Sequence, residues 1–449
     1  MKVGADRGAV MTTIPSDPCP SRSHPLAVQL GYSAGNLGKS VIWTSFESVM
    51  LFYLVTIAGF APLSAGMVLA VALLWDAAFD LAVARWADAH GGATGLARLV
   101  LIGAPLCGIS FWMIFLAEAP AAVAAAIMAC RIGYSFCDVG HNTLLIRVAR
   151  SSADAGRVSG LRLLFSAAGV ALLSLAAGSS LSRTGASAQH ASFASSAMLA
   201  GALYVATLFL AVWATRNLSG GPAAASQERR LRPLGVYWRD PQFRRLLLVI
   251  AAQAGLVPLF QRALPFYGAA VHGDPAWAGS ALLTMTIAQS GALVGWIAAS
   301  RRYSARGIAV AAHGIALISL IGLTVTTSVP VGMVLMATLG VALGGMNLAI
   351  WSLLTAIVQA SWVTGTRQDA TPVGLFLTVL KAAAAVGNLL LAVIIAAVSH
   401  GLPNNVVEGG NLLPVIATLI PAAGCIIVLS LLVRQPGSEA SGNQACLGS

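Results

Sequence analysis

Leu74-Trp75-Asp76-Ala77-Ala78-Phe79-Asp80-Leu81 places two acids in the middle of an apolar run. The surrounding stretch, residues 62–88, is long enough to cross a bilayer as one helix. A spacing of four residues puts both carboxylates on one helix face, one turn apart. An acid at the centre of a membrane helix costs roughly 2.5–3.5 kcal/mol on insertion scales. Two acids on one face also repel each other. Such a pair is expected to await a positive charge.

The whole chain shares this apolar setting. Of its 449 residues, 57% are hydrophobic and 9% are charged, and the mean hydropathy is +0.82. A soluble domain carries about 25% charged residues, so the composition predicts a polytopic, all-α integral membrane protein. About twelve spans are legible: residues 28–58, 62–88, 97–117, 120–149, 156–181, 192–215, 244–270, 276–300, 305–328, 331–360, 372–399 and 411–434. The hydrophilic segment 217–243 divides them six and six, flanked by halves 28–216 and 244–434. That division is what a transporter of two six-helix halves would show, with its solute site near the midplane between them. Residues 1–27 and 435–449 read as polar tails.

The net charge of +11 does not indicate a nucleic-acid partner, because the arginines collect in alternate loops. Arg147, Arg150 and Arg157 flank one loop; Arg216, Arg229, Arg230, Arg232, Arg239, Arg244 and Arg245 crowd the longest; Arg301, Arg302, Arg306, Arg367 and Arg434 follow the same side, while the alternate connections carry Arg183 and almost nothing else basic. The positive-inside rule then places both termini in the cytoplasm, in what is expected to be a bacterial inner membrane. The long basic segment is read as a solvated linker touching anionic lipid. Six cysteines (Cys19, Cys107, Cys130, Cys137, Cys425 and Cys446) show no metal or disulfide spacing. Gly291, Gly295, Gly340, Gly344 and Gly345 read as close-packing positions between helices.

Ionisable residues inside spans are the informative minority: Lys39, Glu47, Asp76, Asp80, Arg131, Asp138, His141, Arg162, Arg262 and Lys381. Intramembrane charges face a bundle interior or a wet cavity and pair with one another. Arg131 and Asp138 lie two turns apart on one face and are expected to pair. Glu47 is read either as a network member or as a residue near the membrane boundary. His141 is expected to be a hydrogen-bond partner and His313 a structural residue.

Some of these residues also carry a family resemblance. Gly31-Tyr32-Ser33-Ala34-Gly35-Asn36-Leu37-Gly38-Lys39, then Trp75-Asp76-Ala77-Ala78-Phe79-Asp80, resembles the opening of the glycoside–pentoside–hexuronide:cation symporters, the branch of the major facilitator superfamily typified by melibiose permeases, which implies the major facilitator fold. Gly133-Tyr134-Ser135-Phe136-Cys137-Asp138, Arg162, Trp351-Ser352-Leu353-Leu354, Thr364-Gly365-Thr366-Arg367 and Lys381 follow in the family's order. The resemblance implies a cation site at Asp76, Asp80 and Ser135. It implies a substrate site at Lys39, Asp138, Arg162, Lys381, Asn142 and Trp351. It implies no cofactor beyond the coupling ion, H⁺ or Na⁺.

The departures from that pattern are specific. Ser40 stands where the family has an acid, Asn142 where it has an aromatic, and Phe79 where it has Asn. Loss of a polar oxygen donor at position 79 favours H⁺, because hard metal cations take several oxygen ligands. The expected function is cation-coupled transport of a small polar solute, sugar or sugar-like by resemblance. A same-fold carrier of a lipid, siderophore-like metabolite or drug, and a non-transporting sensor, are the alternatives. No metalloprotease or phosphate-loop motif occurs, so an enzyme is not expected.

Overall fold

The apolar runs all become helices. The computed structural model describes residues 24–90, 93–148, 152–217, 234–300, 302–362, 370–400 and 412–433. The first half holds α1 (Leu26–Ser48), α2 (Met50–Phe52), a π-helical turn (Tyr53–Ile57), α3 (Pro62–His90), α4 (Ala93–Ile114), α5 (Pro120–Val148), α6 (Ser152–Leu181) and α7 (Ala186–Thr215). The second holds α8 (Leu234–Arg239), α9 (Pro241–Leu256), α10 (Leu259–His272), α11 (Trp277–Ala299), α12 (Ala305–Val325), α13 (Val329–Trp362), α14 (Ala370–His400) and α15 (Leu412–Val433). Among the described residues, eleven helical segments are long and apolar enough to cross a membrane, and the bent pair Leu26–Ser48 and Met50–Ile57 makes a twelfth. Large apolar side chains such as Leu164, Leu199, Val294 and Ile318 point outward from the bundle, as lipid requires.

Local chemistry sets several boundaries. Pro62, Pro120 and Pro241 each open a helix, where a missing N–H costs nothing. Asp240 caps α9, its carboxylate accepting from the backbone N–H of Gln242 at 2.9 Å. The seventh span therefore starts at Pro241, three residues before the sequence reading, and α8 interrupts the supposed linker. The remainder of that linker, most of both tails, Cys19, Cys446 and Arg150, Arg229, Arg230, Arg232, Arg301, Arg367 and Arg434 lie outside the described residues, as does the Thr364–Arg367 stretch.

Two spans are broken at matching places. The seventh breaks before Pro258, which has no N–H to donate and crowds the preceding turn. The first bends by 53° around Val49 and ends in the π turn. No proline or glycine marks that bend. Gly59, at φ +74°, then reverses the chain, and Phe60 N–H reaches back to Leu54 O at 2.8 Å.

The halves meet through α3 with α14, α6 with α11, and α1 with α10. Several of these contacts lie toward the bundle end away from the arginine-rich loops. There Phe52 meets Phe266 edge-on at 4.9 Å between ring centroids, and Gly178 opposes Gly279. Close backbone approach also fixes α4 on α5: a methyl group on Gly133 would fall 2.5 Å from Cys107 N. The glycine expectation holds in part. Gly340, Gly344 and Gly345 abut α11 residues, but nothing lies within 4 Å of a side chain built at Gly291 or Gly295. Those two glycines are not packing positions.

Candidate functional site

Asp76 and Asp80 face inward from α3, 0% and 5% exposed. They do not await a positive charge, as their sequence suggested, because two arrive from other helices. Arg131 of α5 donates from a terminal guanidinium nitrogen to one Asp76 oxygen, and the Ser135 hydroxyl donates to the other. Lys381 of α14 stands 2.5 Å from Asp80 and 3.7 Å from Asp76. Two carboxylates are thus matched by two cations in a buried cluster. The two cations are held differently. Arg131 stays within one half, whereas Lys381 ties α14 of the second half to α3 of the first.

Arg131 therefore does not pair with Asp138, despite sharing a face with it. Its guanidinium carbon lies 5.0–5.1 Å from the ring centroids of Trp43, Phe46 and Tyr134. Its Nε and other terminal nitrogen have no hydrogen-bond acceptor; aromatic faces surround them instead. Phe79 turns away from the acids toward Phe136, 5.0 Å between centroids, so it contributes no ligand.

Asp138 pairs with Lys39 at 2.5 Å. Asn142 links this pair to Arg162. Its amide donates to Asp138 at 3.1 Å, and its carbonyl oxygen accepts from Arg162 at 2.7 Å. Arg162 also donates to Asn36 at 3.3 Å. Four of the expected substrate residues, Lys39, Asp138, Asn142 and Arg162, thus form one polar network. Lys381 belongs with the aspartates instead, and Trp351 lies apart, 5.3 Å from Phe376 between centroids. Ser40, in the place of the family's acid, meets the Ser166 hydroxyl. His141 stacks on Tyr32 at 4.5 Å and contacts its carbonyl oxygen at 2.9 Å. His313 bonds within its own helix, to Ala309 O at 2.7 Å, as a structural residue would.

Between the halves lies a cavity of about 280 Å³, lined by Trp43, Glu47, Gln253, Gln289, Asn347 and Trp351 among others. Glu47 is a member of a buried charge pair. It accepts two hydrogen bonds from Arg262, at 3.0 and 2.6 Å, across the two halves. Beside it Gln261 donates to Ser48 Oγ at 3.0 Å. The Gln253, Gln289 and Asn347 amides make no hydrogen bond to a described residue, although all three line the cavity. Trp43 joins the two regions: it lines the cavity, and its ring lies 6.0 Å from Lys381 Nζ. A second cavity, about 230 Å³, is enclosed by apolar residues such as Val41, Phe111 and Phe193 and offers no charge.

Sequence reasoning missed the amides and Trp43. One signal was available: Lys39, Trp43 and Glu47 recur every four residues and so share a face of α1. The amides lie singly on three different spans, and no spacing connects them.

Comparisons with known proteins agree with this architecture. A family model described as MFS/sugar transport protein matches residues 31–438. No curated protein matches the chain by sequence. A crystal structure of the nucleoside transporter NupG superposes with a TM-score of 0.66 at 14% identity, covering 91% of this chain and 100% of that one. A bacterial homolog to the human lysosomal transporter Spinster, inward-facing and unoccupied, gives 0.65 at 14% identity, covering 92% and 98%. At such identity the likeness is one of fold. The family match spans nearly the whole chain: this multi-pass membrane protein belongs to the MFS/sugar transport protein family of the major facilitator superfamily.

Proposed function

We propose that the chain is a cation-coupled secondary transporter that moves a small polar solute by alternating access. The observation that carries this reading is the Lys381–Asp80 contact, 2.5 Å across the two halves. Asp80 has no hydrogen-bond partner besides this ion pair, and Lys381 has a second carboxylate, Asp76, 3.7 Å away. An ion taken up by Asp80 removes its claim on Lys381 and loosens a tie between the halves. Solute binding in the neighbouring cavity, reached through Trp43, then acts on the same equilibrium, which is coupling by linkage. The contacts at Glu47–Arg262, Phe52–Phe266 and Gly178–Gly279 close one bundle end. With the arginine-rich loops in the cytoplasm, that end is the external one.

The solute site in this reading is the cavity between the halves. The free amides of Gln253, Gln289 and Asn347 can each donate and accept, and Trp43 and Trp351 supply apolar faces. The network of Lys39, Asp138, Asn142 and Arg162 lies outside the cavity lining, with Lys39 one turn before Trp43 on α1. Drug-sized pockets run about 300–1,000 Å³, so the cavity's size favours a ring-sized solute, sugar-like in its hydrogen bonding, over a lipid or siderophore-like molecule. The test is uptake into proteoliposomes of neutral sugars and nucleosides under imposed H⁺ or Na⁺ gradients. Accumulation that follows an ion gradient and is lost in Asp80→Asn supports the reading. Accumulation by Asp80→Asn equal to the wild type overturns it.

A further inference from the structure

We propose that Arg131 is a resident cation that fills the place of a metal ion on Asp76, and that it thereby makes the transporter proton-selective and indifferent to Na⁺. The inference rests on the coupled-transport reading for its consequence, but its geometry stands alone.

Asp76, Asp80 and Ser135 are all buried, Ser135 is bonded to Asp76, and Lys381 lies within 3.7 Å of both carboxylates, so five oxygens are gathered in one cluster. Oxygen-rich pockets with two carboxylates suit a hard cation. Here the guanidinium of Arg131 takes one Asp76 oxygen, and the Ser135 hydroxyl donates its proton to the other. Lys381 covers Asp80. A sodium ion entering this cluster would be a third positive charge for two carboxylates, out of water, and would have to displace a group that already holds its ligands. A proton needs only one oxygen of Asp80 and displaces only the ammonium of Lys381.

Arg131 is also built to stay. It is 1% exposed, and Trp43, Phe46 and Tyr134 surround its guanidinium. Asp76 and Arg131 both belong to the first half, so movement of the halves does not part them. Lys381 crosses between halves and can be parted from Asp80. One acid is therefore permanently neutralised and the other is free to exchange. With Arg131 removed, the cluster would hold two carboxylates against one lysine, plus the space between the rings of Trp43 and Tyr134. That is a vacancy for a monovalent cation.

The test compares the wild type, Arg131→Ala and Arg131→Lys, purified in lipid nanodiscs, in NaCl, LiCl and choline chloride at equal ionic strength. Thermal unfolding midpoint and tryptophan fluorescence are the readouts, and Trp43 reports from within the site. The wild type and Arg131→Lys are expected to show no Na⁺-specific change. Arg131→Ala is expected to gain a saturable rise in midpoint and a fluorescence change with Na⁺. Folding of Arg131→Ala in NaCl but not in choline chloride supports the proposal equally. A saturable Na⁺ response of the wild type overturns it, as does a folded Arg131→Ala that ignores both Na⁺ and Li⁺. If Arg131→Ala folds in no salt, equilibrium binding of radioactive Na⁺ to the wild type decides: saturable binding overturns the proposal and its absence upholds it. None of these measurements requires transport. Solute movement independent of every ion gradient would overturn the coupled reading and leave the assignment of Arg131 standing.

Discussion

Lys381 Nζ stands 2.5 Å from an Asp80 oxygen and 3.7 Å from Asp76, on the far half of the molecule from both. The ammonium is shared unequally between two acids one helical turn apart. Asp76 has two further partners, Arg131 and Ser135, so Asp80 depends on Lys381 more than Asp76 does. Asp80→Asn should therefore abolish gradient-driven accumulation while leaving solute exchange between equal concentrations. Asp76→Asn should instead reduce the amount of folded protein, because it strands the Arg131 charge. Exchange and accumulation assays on matched amounts of protein separate the two effects. Identical behaviour of the two variants would sink the distinction.

The Glu47–Arg262 pair is buried and bridges the halves. Removing one partner of a buried pair costs about 3–5 kcal/mol, since the other charge is left uncompensated. Arg262→Met alone should lower the thermal midpoint sharply. Glu47→Gln with Arg262→Met should recover most of that loss. Failure of the double variant to recover would show that the cost lies in packing, not charge.

Gly133 is a packing position of a severe kind. A methyl group there meets Cys107 N at 2.5 Å, backbone against which no rotamer can yield. Gly133→Ala should cost about 1–3 kcal/mol by overpacking, seen as a lower unfolding midpoint. Gly291→Ala, with nothing within 4 Å, should leave the midpoint within about 0.5 kcal/mol of the wild type or raise it through helix propensity. Reversal of that order would mean the α4–α5 contact does not limit stability.

The unmet amides predict a binding loss. Gln289→Leu and Asn347→Leu each remove a group free to bond a solute, worth about 0.5–1.5 kcal/mol net. Each should weaken binding of a transported solute between about twofold and tenfold, and unfolding should hardly change. Unchanged affinity in both variants would move the solute site elsewhere, with the Lys39–Asp138–Asn142–Arg162 network the next place to look.

The twelve-span, all-helical fold was legible because apolar length and charge spacing decide membrane insertion locally. A run such as residues 331–360 is long and apolar enough to span a bilayer whatever its neighbours do, and the structure places a helix there at Val329–Trp362. Breaks were half legible. Pro258 marks one by its missing N–H, but the bend at Val49 has no proline or glycine to mark it. Among site residues, the union of Lys39, Asp138, Asn142 and Arg162 is implied by the family resemblance, not by spacing or charge alone.

By itself the sequence determined that charges are buried, and on which helix faces. It could not decide who pairs with whom. Arg131 and Asp138 share a face of one helix, yet Arg131 meets Asp76 of α3 and Asp138 meets Lys39 of α1. The reason is geometric. Residues seven apart on one helix face are separated by about 10 Å along its axis, and charge pairing in a bundle is settled by which helices pack together, which is a property of the whole fold. Tertiary structure alone turned an acid pair that looked empty into a matched cluster, with one cation from the same half and one from the other.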